Sequence, residues 1–116
     1  MKKIISLSVF FFTFFISYSQ TKISIDSVNN YFGKKITVCA AVYGIKSTEK
    51  VTFINLGKPY PSSPLTLVIF AKDRINFSDT PEKLYGNKPI CVTGTIKEYK
   101  GKAEIIVNMP GDITVQ

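Results

Sequence analysis

The chain has 116 residues, two cysteines, no histidine and a formal net charge of +7, from 15 Lys and Arg against 8 Asp and Glu. Without histidine there is no His-based triad and no common general base or metal ligand, and two cysteines fall short of the four ligands of a structural zinc site. The length suits one domain with one modest core, and the basic balance inclines the chain toward anionic partners without requiring one.

Residues 1–19 read as a secretory signal peptide. Lys2 and Lys3 form a positive start, Ile4 to Ile16 is an apolar run, and Ser17-Tyr18-Ser19 places small residues where a signal peptidase reads, with cleavage expected before Gln20. The apolar run is shorter than the roughly 20 residues of a spanning helix. The expected protein is therefore exported, periplasmic or secreted, has no membrane span after cleavage, and consists of a single domain over residues 20–116. Export makes the even cysteine count a candidate disulfide.

Thr21 to Gly33 reads as a lead-in helix capped by Asp26 or Ser27. Val28, Tyr31 and Phe32 share its inner face and Gly33 stands at its C-terminal end. Lys34 to Ile45 is the first long strand, with Ile36, Val38, Ala40 and Val42 inward and Thr37, Cys39, Ala41 and Tyr43 outward. The small residues Ala40, Ala41 and Gly44 let it bend. Residues 45–50 form a turn, Val51 to Leu56 a second strand, Gly57 to Pro64 a proline-rich loop, and Leu65 to Phe70 a third, continuously apolar strand. Ala71 to Phe77 suits one or two helical turns, and Ser78 to Asn87 a connection. Lys88 to Asn108 reads as two strands joined at Lys97 to Gly101, with Ile90, Val92, Gly94 and Ile96 inward, and Pro110-Gly111 ends the structure.

This all-β pattern of five strands, with a short helix before them and another between the third and fourth, resembles the OB-fold, a five-stranded Greek-key barrel. The resemblance rests on Gly33-Lys34-Lys35-Ile36-Thr37-Val38-Cys39, on Phe53 to Pro61, on Leu67-Val68-Ile69-Phe70, and on Val92-Thr93-Gly94-Thr95-Ile96 followed by Tyr99 and Gly101. It is closest to small bacterial domains of the nucleic-acid-binding-like type. It implies that the first and fourth strands are antiparallel neighbours, so that Cys39 and Cys91, both outward, can face each other. A one-residue slip would instead leave two separate thiols.

The resemblance also implies a ligand face on the second and third strands, flanked by loops. The aromatic candidates for it are Tyr43, Phe53, Tyr60 and Tyr99, and the basic ones Lys46, Lys58, Lys97, Lys100 and Lys102. Flat rings for stacking with cations for phosphate suit single-stranded nucleic acid or another anionic polymer. Tyrosines and lysines also cover small barrels for solubility alone, and Arg74 is the lone arginine, whereas phosphate is often read by arginine forks. Lys72-Asp73-Arg74 suits a solvated charge cluster better than an anion site. An envelope protein or an oligosaccharide are the alternative partners. The eight acids are scattered, so no catalytic residue, metal ligand or cofactor is expected, and the chain is expected to be a monomeric, non-enzymatic binding module.

Overall fold

A computed structural model describes residues 21–116; the expected signal peptide lies outside the described residues. The strands are β1 (Thr21–Ile23), β2 (Lys35–Ser47), β3 (Val51–Leu56), β4 (Leu65–Phe70), β5 (Pro89–Thr95), β6 (Lys97–Tyr99), β7 (Lys102–Ile106) and β8 (Ile113–Val115). A five-residue helix, α1 (Pro81–Tyr85), and three 3-10 helices at Ile25–Asn30, Ala71–Asn76 and Pro110–Asp112 complete the chain. The architecture is all-β with short helices, as the alternation implied, but with eight strands instead of five; the additional ones, β1, β6 and β8, have three residues each.

β2 organises the sheet. Its first half, Lys35 to Ala41, pairs antiparallel with β5, and its second half, Val42 to Ser47, pairs antiparallel with β3. A register shift between Val42 and Gly44 marks the change of partner, and this bulge provides the bend that the small residues predict. β3 continues antiparallel to β4, β4 runs parallel to β7, and β7 turns back on β6. The hydrogen-bonded order β6-β7-β4-β3-β2-β5-β8 does not close on itself. The chain supplies the link instead: only Ile96 separates β5 from β6, and it is held at the start of β2 by Gly33 N donating to Ile96 O (2.8 Å) and Ile96 N donating to Lys34 O (3.1 Å).

Alternation sorts the side chains. Ile36, Val38 and Val42 of β2, Ile54 and Leu56 of β3, Leu65, Leu67 and Ile69 of β4, Ile90 and Val92 of β5, Ile96, and Ile105 with Val107 meet in one core. Ala40, placed inward from the sequence, is only partly buried. Cys39 lies directly opposite Cys91 in the β2–β5 ladder, and the two form a disulfide across Cα atoms 4.0 Å apart. The outward setting of both cysteines on antiparallel neighbours is thus what permits the bridge.

Several expectations need correcting. The lead-in segment is not one helix. Thr21–Ile23, extended and rich in β-branched residues, adds parallel to β2, and only Ile25–Asn30 turns, with Ser24 accepting from Asp26 N (3.3 Å) in place of a cap at Asp26 or Ser27. Val28 is nonetheless buried, and Tyr31 and Phe32 pack on the core. β2 runs past Ile45 to Ser47, because Thr48 Oγ1 accepts from Lys50 N and Val51 N (3.2 Å each) and tightens the reversal into three residues. The 78–87 connection contains α1, started by Thr80, whose side chain accepts from Lys83 N, and by Pro81 at a position that needs no N–H.

The expected turn Lys97–Gly101 is mostly strand. The reversal takes only Lys100 and Gly101, at φ 50° and 76°, the positive values a two-residue hairpin turn requires. β5 and β7 are therefore not a hairpin pair: β5 pairs with β2 and β8, and β7 with β4 and β6. The chain also continues past Pro110-Gly111. Those residues form a 3-10 turn that feeds β8 antiparallel onto β5, where Ile113 is buried.

Candidate ligand groove

The outer face of β3, β4, β7 and β6 carries five of the sequence's aromatic and basic candidates, Lys46, Phe53, Lys97, Tyr99 and Lys102, in ladder register, because paired residues on neighbouring strands point the same way. One row runs Lys46, Phe53, Val68, Ile106 across β2, β3, β4 and β7. The next runs Asn55, Thr66, Glu104, Lys97 across β3, β4, β7 and β6. Val51 and Phe70 extend the apolar side, and Lys102 opposite Tyr99 extends the polar side. The face is an apolar floor crossed by one polar row and bordered by lysines.

Two depressions occupy it. One, of about 480 Å³, is lined among others by Lys50, Phe53, Phe70, Lys97, Tyr99 and Ile106. The other, of about 340 Å³, is lined by Lys46, Phe53, Asn55, Tyr60, Thr66, Lys102 and Glu104. Both include Phe53 and Glu104, so they form one continuous trough.

The proline-rich loop forms one wall. Lys102 Nζ donates to Pro61 O (3.0 Å) and lies 5.3 Å from the centre of the Tyr60 ring, a cation–π contact that tacks the loop to β7. Tyr60 keeps 75% of its surface exposed, and Tyr99 of β6, the ladder partner of Lys102, keeps 57%. Asn55 is buried to 7% exposure, and its Oδ1 accepts from Ser63 Oγ (3.2 Å) and Thr66 Oγ1 (3.1 Å). Burial pushes the Glu104 carboxyl above its ordinary range, against the downward pull of Lys97. The only salt bridge among the described residues is Lys83–Asp79, at 3.9 Å and away from the trough. None of the trough lysines is in a salt bridge among the described residues, although Lys102 is held by Pro61 O and the Tyr60 ring and Lys97 lies opposite Glu104.

Of the nine residues singled out from the sequence, six line the trough: Lys46, Phe53, Tyr60, Lys97, Tyr99 and Lys102. Tyr43 sits at the β2 bulge, Lys58 in the proline loop, and Lys100 in the β6–β7 turn with Nζ 5.4 Å from the Tyr99 ring; none of the three lines it. Sequence reasoning missed Asn55, Thr66 and Glu104. Alternation sets each outward, but only the parallel β4–β7 register joins them in one row, and no local pattern encodes that pairing. Arg74 of the charged triplet serves the fold, since its Nη2 donates to Thr48 O and fastens the Ala71–Asn76 turn to the β2–β3 reversal. Among the described residues, no three or more His, Cys, Asp or Glu side chains are grouped to share a metal ion, and no helix is long and apolar enough to cross a membrane.

No family model matches the chain, and no curated protein does. Solved structures do. An OBody, AM1L10, bound to hen egg-white lysozyme superposes with a TM-score of 0.56 at 15% identity, over 85% of this chain and 96% of its own. The Stn1–Ten1 complex of S. pombe gives 0.55 at 16% identity, over 71% of this chain and 57% of that one. Asparaginyl-tRNA synthetase from Pyrococcus horikoshii, complexed with asparaginyl-adenylate, gives 0.55 at 16% identity over 84% of this chain. The chain spans only 22% of the synthetase's length. At such identities the likeness concerns architecture, and together with the strand order it makes the fold an OB-fold.

Proposed function

We propose that the protein is an exported, non-enzymatic binding module that takes a single strand of nucleic acid, or a similar extended polyanion, along the trough on β3, β4, β7 and β6. The observation that carries this reading is the alignment of Phe53, Tyr60 and Tyr99 along one continuous depression with Lys46, Lys50, Lys97 and Lys102 around it. Exposed rings give bases a surface to stack on, each stacked base contributing about 1–3 kcal/mol. The lysines replace the counterions of the strand. The likeness to the tRNA synthetase supports the reading as an analogy of fold only. The disulfide between Cys39 and Cys91 supports export, because such bridges persist in oxidising compartments.

Titration of a labelled oligo(dT) at rising salt tests it. Four phosphates neutralised by the four lysines give a slope of about −3 in log K against log salt. Absence of binding at low salt removes the reading. A protein partner is the second reading, favoured by the apolar floor, where Phe70 and Ile106 remain 39% and 38% exposed. The OBody bound to lysozyme illustrates that use of the fold. Protein capture with indifference to oligonucleotides would select it.

A further inference from the structure

We infer that the trough distinguishes bases and seats a guanine, with Glu104 accepting from its Watson–Crick edge; this rests on the single-strand reading above. A groove that only tracked phosphate would gain nothing from a carboxylate at its centre. Yet Glu104 stands where the two depressions meet, half-buried, facing Lys97 across the β6–β7 ladder but with no cation within salt-bridge distance and no hydrogen-bond donor among the described residues. A partly desolvated carboxylate with no donor is costly, and a ligand that supplies donors removes the cost.

The row around it narrows the donor. Asn55 lies two strands away, a separation of roughly 9–10 Å between backbones, so a base edge that reaches from one to the other lies over Thr66 of the intervening β4. Its Oδ1 is occupied by the Ser63 and Thr66 hydroxyls, so its NH2 is the group left to donate. The row therefore offers a two-oxygen acceptor at one end and a donor at the other. Guanine matches it, with N1–H and the N2 amino group as adjacent donors and O6 as the acceptor beside them. Adenine and cytosine present one amino group next to an acceptor ring nitrogen, which a carboxylate repels. Thymine and uracil present one N–H flanked by two carbonyl oxygens. Phe53, in the adjacent row and shared by both depressions, supplies the stacking surface.

The test compares four labelled ten-nucleotide strands by fluorescence anisotropy at one low salt concentration: oligo(dT), and the same strand with a single central dG, dA or dC. One guanine per strand prevents four-stranded assemblies. The dG strand is expected to bind about tenfold more tightly than oligo(dT), the discrimination of one bidentate base contact. Glu104→Gln is expected to bring the ratio between the dG strand and oligo(dT), measured in the same protein, to about one. Equal affinities for all four strands, or a preference that survives in Glu104→Gln, overturns the guanine inference and leaves the single-strand reading standing. No binding of any strand overturns both. The wild-type comparison decides the matter even if the variant is unstable.

Discussion

Replacing Gly94 with alanine probes how β5 meets β7 across the core. A Cβ at position 94 would lie 2.5 Å from Ile105 Cγ2, closer than a real Cβ approaches another carbon, and Ile105 is fully buried. That methyl is attached directly to a branched Cβ, so it moves only if the whole side chain leaves its preferred rotamer, which costs about 0.5–1.5 kcal/mol. Overpacking as a whole costs about 1–3 kcal/mol. The loss of glycine's freedom in the unfolded chain returns about 0.4–1 kcal/mol. The net expectation for Gly94→Ala is a destabilisation of about 1–2 kcal/mol. Ile105→Ala alone costs about 2–5 kcal/mol, but it removes the clashing methyl. The double variant should therefore fall short of the summed losses by about 1 kcal/mol. Urea denaturation followed by far-UV circular dichroism measures all three variants. A Gly94→Ala protein as stable as wild type, or strict additivity in the double variant, would refute the packing described.

Reduction of the Cys39–Cys91 bridge, or its replacement by two alanines, should cost about 4 kcal/mol on the chain-entropy model for a closed loop of 52 residues; urea midpoints with and without reductant measure it, and an unchanged midpoint contradicts it. Burial raises the Glu104 carboxyl above the ordinary value of 4.5, so the folded state holds that proton more tightly than the unfolded state. The associated stability is present below pH 4.5 and is lost as pH rises through the folded-state value. Glu104→Gln should then stabilise the protein at neutral pH and flatten that part of the pH–stability curve. Phe53→Ala should weaken oligo(dT) binding roughly tenfold through loss of one stacking surface, whereas Tyr43→Ala, outside the trough, should leave it unchanged.

The strong signals in the chain were those of period two. They set Ile36, Val38 and Val42 inward and Cys39 outward, and they gave β3 and β4 their observed limits. The Cys39–Cys91 pairing followed from that facing once the two strands were taken as neighbours. The three-residue strands were not legible, because Thr21–Ile23, Lys97–Tyr99 and Ile113–Val115 are too short to display a period and owe their conformation to the edge they meet. Lys97 to Gly101 looked like a turn for its charge, although Lys97 and Tyr99 sit on the exposed face of an edge strand where charge is expected. The aromatic and basic half of the trough was visible as composition. Its polar row was not, since Asn55, Thr66 and Glu104 come from three strands and meet only through register.

The placement of the ligand on this face can be mapped residue by residue. Amide shifts of isotope-labelled protein recorded during an oligo(dT) titration should change along Val51–Asn55, Thr66–Phe70 and Lys97–Ile106, which carry the trough, while β1 and β8 stay still. Changes centred on β1, β8 or the surface around Cys39 and Cys91, with Phe53 and Glu104 unmoved, would contradict the account.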